Sequence, residues 1–166
     1  MRLDGGFSSP DILDYLDDEG VEYIVGYASN CVLVSKAKKV MGMMRALSMI
    51  SNKTETMFSE FQYRARTWHE PRRVVVKAEV VRFPGREPRD NARYVVTNIP
   101  FRPERVYEIY RGRGDMENKI KELHHGLEID RTSCTSFKAT QFRLLLTSAA
   151  YLLMQEIRRL AAGTEL

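Results

Sequence analysis

At 166 residues the chain can hold one domain, or one domain with a modest insertion, and its 43% apolar content excludes disordered and collagen-like classes. Lys and Arg number 26 against 22 Asp and Glu, a net charge of +4 that is basic but not histone-like. No stretch approaches the roughly 18 consecutive apolar residues of a membrane span, no apolar signal core follows the MRLDGG start, and Cys31 and Cys134 stand in no metal or redox spacing; a reduced, cytoplasmic protein away from membranes is expected.

Taken in chain order, Asp4-Gly5-Gly6 follows a strand stub. Ser9 as N-cap and Pro10 at the first helical position then predict a helix with Asp11 and Asp14 in its opening turns. Gly20 closes that helix. Residues 22–28 (EYIVGYA) read as a short buried strand. An apolar face through Val34, Ala37, Val40, Met41, Met44 and Leu47 predicts a helix over 32–50 with Lys36, Lys38 and Lys39 on its other side. Residues 58–68, 73–83 and 93–99 are rich in β-branched residues and separated by turn chemistry, so they predict three adjacent strands. Pro100 and Pro103 precede a long polar helix expected over 104–123. A final helix over 136–160 is apolar nearly all round and is expected to be buried.

Charge is uneven along this order. Residues 1–30 hold seven acids against Arg2 alone, whereas residues 60–113 hold 13 Arg or Lys against seven Asp or Glu. Arg outnumbers Lys 18 to 8, and the planar guanidinium can grip phosphate with two hydrogen bonds. A basic middle with Tyr63, Trp68, Phe83 and Tyr94 interleaved suits a nucleic-acid backbone. The same composition also suits strands whose outer face is solvated by Arg.

Two features could carry chemistry. Asp4 before two glycines reads as a turn, yet a carboxylate at a strand end beside small residues can also hold a hard divalent cation. Further along, Tyr110, Arg113 and Glu117 are spaced by three and four, so on a continuous helix they share one face, with His124 two turns on. Gly112 and Gly114 weaken helix propensity there. Arg113–Glu117 and Glu117–Lys121 also read as ordinary helix-surface ion pairs. A phenol, a guanidinium and a carboxylate together can bind phosphate oxygens and a metal. His124 and His125 do not make a metal pair, since neighbouring residues on a helix point apart.

These motifs resemble the DDE transposases of bacterial insertion sequences, in the branch marked by Tyr-x2-Arg-x3-Glu-x6-Lys. Here Tyr110, Arg113 and Glu117 match, and His124 stands where that branch has lysine. RLDGGFSSPDILDYL resembles the segment around the second catalytic aspartate, and YRGRGDMENKIKEL and RTSCTSFKATQFRLLL resemble later blocks. The resemblance implies an α/β (α+β mixed) fold of ribonuclease H type, truncated, with a strand-rich insertion. It divides the chain into a partial core at 1–53, a β-rich insertion at 54–99 and C-terminal core helices at 100–166. It implies metal-dependent phosphoryl transfer on DNA, with Asp4 and Glu117 as ligands of Mg²⁺ or Mn²⁺. Tyr110, Arg113 and His124 would contact DNA, and Trp68 would stack on an unpaired base.

The family's first aspartate would lie upstream of Asp4, and this chain begins three residues before Asp4. The resemblance therefore implies a C-terminal part of a transposase with an incomplete acid set, binding its ion weakly and inactive alone. The strand before Asp4 would lack a neighbour on one side. Imidazole at His124 would make a fixed phosphate contact conditional on protonation. The expected partner is DNA, the transposon ends, with homodimerisation also foreseen. The competing reading is a non-catalytic DNA-binding or dimerising remnant.

Overall fold

Alternation of β-branched with polar residues decides which face of a sheet each side chain reaches. In the computed structural model, which describes residues 1–130 and 134–162 (backbone alone at 115 and 116), this produces one mixed sheet. The chain divides into two compact units, Met1–Arg113 and Gly114–Leu166.

The first unit holds all five strands: β1 (Arg2–Leu3), β2 (Ile24–Tyr27), β3 (Glu55–Tyr63), β4 (Arg72–Val81) and β5 (Arg89–Thr97). Their order is β1-β2-β5-β4-β3. β1 and β2 run parallel, with Leu3 beside Val25; the remaining neighbours are antiparallel. The expected α/β class is what forms. The three strands expected as an insertion continue the same sheet, because β5 pairs directly with β2 from Tyr94 opposite Tyr27 to Thr97 opposite Ile24.

Helices cover both faces. α1 (Pro10–Asp18) and α2 (Cys31–Ser51) bring Leu13, Leu16, Leu33, Ala37 and Met44 onto Val25, Val74, Val76 and Val96. α3 (Pro103–Arg111) brings Val106 and Tyr107 onto Ile24, Val75 and Val95 on the opposite face. Each fully buried aliphatic side chain contributes roughly 1.5–3 kcal/mol, so this double burial dominates the stability of the unit. Local signals fix the helix ends. Pro10 occupies the first turn after Ser9, and Gly20 turns the chain at φ +63°. The Asn30 side chain accepts from the Val32 and Leu33 N–H groups at 3.1 and 3.0 Å, starting α2.

The acidic start and the basic middle meet inside this unit. Arg72, buried, donates to Asp17 at 2.9 Å and to Asp14 at 2.5 Å, and its guanidinium lies 5.2 Å from the Trp68 ring centre. Part of the charge asymmetry is thus an internal ion-pair cluster. β3 also starts earlier than expected and ends at Tyr63, because residues 64–68 turn off the sheet, with the Trp68 N–H bonded to the Ala65 carbonyl at 3.0 Å.

The long helix expected over 104–123 is two helices, α3 and α4 (Gly114–Gly126). Arg2 donates to the Ile109 carbonyl at 3.2 Å, the acceptor that a continuing helix would offer to the Arg113 N–H. That N–H bonds the Tyr110 carbonyl instead, at 2.9 Å, and the helix ends.

In the second unit, α5 (Phe137–Ala161) starts at Ser136, whose hydroxyl accepts from the Ala139 N–H at 3.2 Å. Glu122 on α4 accepts from Arg158 at 2.7 Å and Gln155 at 3.2 Å on α5. The expectation that the last helix is buried does not hold: no residue of α5 is buried, and Leu145, Leu152 and Leu153 are each about two-thirds exposed. One neighbouring helix can cover only one stripe of an all-round apolar helix. The block beginning at residue 131 has its first three residues outside the described residues.

Candidate functional site

β1 ends at Leu3, so Asp4 emerges at the carboxyl end of the parallel pair, where open α/β sheets gather ligands. Asp4 caps a single 3₁₀ turn, Gly5–Phe7: one carboxylate oxygen, Oδ1, accepts from the Gly6 N–H at 2.9 Å. The turn reading of Asp-Gly-Gly is therefore correct as far as it goes. The other oxygen, Oδ2, lies 3.8 Å from the Arg113 guanidinium, with half of the Asp4 side chain exposed.

α3 delivers the remaining groups. Pro103 and Glu104 favour its start, and Tyr107 anchors it, stacked at 5.3 Å on Phe58 and 6.0 Å from Tyr110. The Tyr110 hydroxyl sits over Gly26 of β2, where a side chain would collide with it and come within 3.3 Å of the Gly5 nitrogen. Gly26 is glycine because two other segments occupy its side-chain space. A side chain at Gly112 would likewise run into the Arg2 guanidinium.

Asp4, Tyr110 and Arg113 thus converge, joined by Arg2. Arg2 and Arg113 bring guanidinium groups to this end of the sheet, and a guanidinium can grip a phosphate oxygen by charge-assisted hydrogen bonds. Arg2 and Gly26 were missed in the sequence. The available signal was slight: Arg2 is the single cation of the first 30 residues.

Glu117 and His124 belong to α4 in the second unit, where Glu117 is exposed and His124 has its Nδ1 3.6 Å from Asp130. Trp68 is 2% exposed, 5.2 Å from the Tyr27 ring and 5.4 Å from Tyr63, with Arg72 against it. Its ring is packed in the core, and an incoming base would find no free face to stack on.

Among the described residues no group of three or more His, Cys, Asp or Glu is placed to hold a metal ion. Mg²⁺ prefers six oxygen ligands, and Asp4, already bonded to Gly6 and near Arg113, supplies one carboxylate. These residues alone do not fit a two-metal centre. Among the described residues no helix is long and apolar enough to cross a membrane.

A family model described as Transposase DDE domain group 1 matches the chain over residues 1–166. No curated protein and no solved structure matches it.

Proposed function

Because the chain belongs to the transposase DDE domain family, group 1, we propose that it is the part of a DNA transposase that binds transposon ends and contributes to metal-dependent cleavage and transfer of their strands. The observation that carries this reading is the meeting of Asp4, Tyr110 and Arg113 at the carboxyl end of β1. Within the family we assign the chain to the Tyr-Arg-Glu branch, on Tyr110, Arg113 and Glu117, with His124 in the lysine position. Arg113 and Tyr110 hold a DNA phosphate by charge-assisted hydrogen bonds. Asp4 and Glu117 serve as carboxylates toward Mg²⁺ or Mn²⁺. With so few carboxylates the ion is weakly held, and the chain alone binds DNA without cutting it.

Incubation with supercoiled plasmid and Mn²⁺ tests this. The expected result is salt-sensitive binding, weakened by Arg113→Ala, without nicking. Nicking abolished by Glu117→Ala would make the chain a competent enzyme by itself. Failure to bind DNA at low salt would overturn the reading.

A further inference from the structure

The outer side of α2 carries a line of cations that the Asp4 region does not use. The helix contains Lys36, Lys38, Lys39 and Arg45 and no acid in 21 residues. Lys38 and Arg45 are seven positions, two turns, apart and lie on one stripe. Lys38 and Arg45 line a cavity of about 610 Å³ between α2 and β5, with Ser29, Ser35 and Asp90. At the helix end the buried Ser48 and the capping Asn52 both accept from Arg82, at 2.8 and 3.0 Å. Both acceptors are neutral, so the Arg82 charge is held in place without being cancelled. Lys53, Arg82 and Arg86 line a second cavity of about 500 Å³ beyond the helix end, and no acid lines it. Arg45 is the exception: the Asp90 carboxylate accepts from its Nε and neutralises it.

Register pairing sets Leu3 beside Val25, so Asp4 stands level with the carboxyl half of β2, and α2 opens four residues after β2 ends at Tyr27. At 1.5 Å per residue α2 is about 31 Å long, roughly nine base-pair steps of duplex. We infer that Lys38, Arg82, Lys53 and Arg86 form a second DNA contact, a track for the phosphate backbone of a bound duplex. This rests on the reading of the chain as DNA-binding. An anionic membrane surface is the competing occupant, because Met49 and Ile50 near the end of α2 are 76% and 84% exposed. DNA is favoured because Lys53, Arg82 and Arg86 line a cavity that no acid lines, and a phosphate backbone offers a row of anions to such cations.

The test is fluorescence anisotropy of the full chain with a labelled duplex of about 20 base pairs, between about 50 and 200 mM salt. The variant Lys38→Ala/Lys53→Ala/Arg86→Ala spares Arg82, which braces the helix end, and unchanged thermal unfolding verifies its fold. Each lost phosphate contact should make the slope of log K against log salt shallower by about 0.9. If the wild-type chain binds and Arg113→Ala weakens it, but the triple variant keeps the wild-type slope, the track is overturned while the proposed function stands. Loss of phosphatidylserine-vesicle binding in the triple variant, with duplex binding unaltered, would assign the stripe to a membrane and overturn it too. If the wild-type chain binds no duplex, both readings fall.

Discussion

The Tyr110 hydroxyl occupies the space that a side chain on Gly26 would fill. This relationship ties α3 to the carboxyl end of the β1–β2 pair and fixes where the phenol stands. Gly26→Ala should therefore destabilise the fold by about 1–3 kcal/mol, the usual cost of overpacking. Tyr110→Phe removes the colliding atom, so in the Gly26→Ala background it should recover part of that loss. Urea unfolding of both single variants and the double variant measures the coupling; strictly additive losses would contradict the close approach.

Arg72 should matter more to stability than any surface arginine. It is 7% exposed and satisfies Asp14 and Asp17 while stacking on Trp68. Arg72→Met keeps much of the stacking volume but takes the shared guanidinium from Asp14 and Asp17, whose side chains are partly exposed, a loss of roughly 1–3 kcal/mol. Arg66→Met, on an exposed side chain of the neighbouring turn, serves as the reference and should stay within about 0.5 kcal/mol.

Stability should fall at both ends of the pH scale for different reasons. Hydrogen bonds from Arg72 and then His69 hold the Asp14 carboxyl below its ordinary value of 3.8. A depressed carboxylate contributes fully above that value, and its contribution is lost as pH falls beneath it. Burial, with the Asp17 charge, pushes the Tyr23 phenol from 10 up to about 12. Its neutral form is the one the fold favours, so stability is intact below pH 10 and declines between 10 and about 12. Urea midpoints across pH should show Asp14→Asn flattening the acid limb and Tyr23→Phe flattening the alkaline one.

Trp68 is the single tryptophan of the chain, which makes its placement directly observable. Enclosed by Tyr27, Tyr63 and Arg72, it should emit at short wavelength and resist iodide quenching. Added single-stranded DNA should leave that emission nearly unchanged. Strong quenching by DNA would mean that the ring is reachable after all.

The parts of this fold visible in the sequence were those set by neighbouring residues. Ser9-Pro10 and Gly20 bracket α1 as the capping rules require, and the β-branched run Val74-Val75-Val76 announced β4. What escaped depends on distant partners. The break between α3 and α4 needs Arg2, more than 100 residues away, to occupy the Ile109 carbonyl. The pairing of Asp14 and Asp17 with Arg72 spans 58 and 55 positions, so the two charged regions looked like separate surfaces. Trp68 read as a DNA-stacking side chain because nothing local shows that residues 64–68 fold it back onto Tyr27 and Tyr63. Of the site, Asp4, Tyr110 and Arg113 were legible from spacing and resemblance, whereas Gly26 gains its meaning only from the chain packed over it.

β1 is two residues long and, among the described residues, has a neighbour on one side alone. Such a segment can fray at little free-energy cost while the Val75 and Val95 layer stays closed. Fraying would release Arg2 from α3 and Asp4 from its turn in the same event, so the acidic and basic halves of the site loosen as a unit. Amide exchange at Leu3 and Ile24 should accordingly be quicker than in the Val75 and Val95 layer.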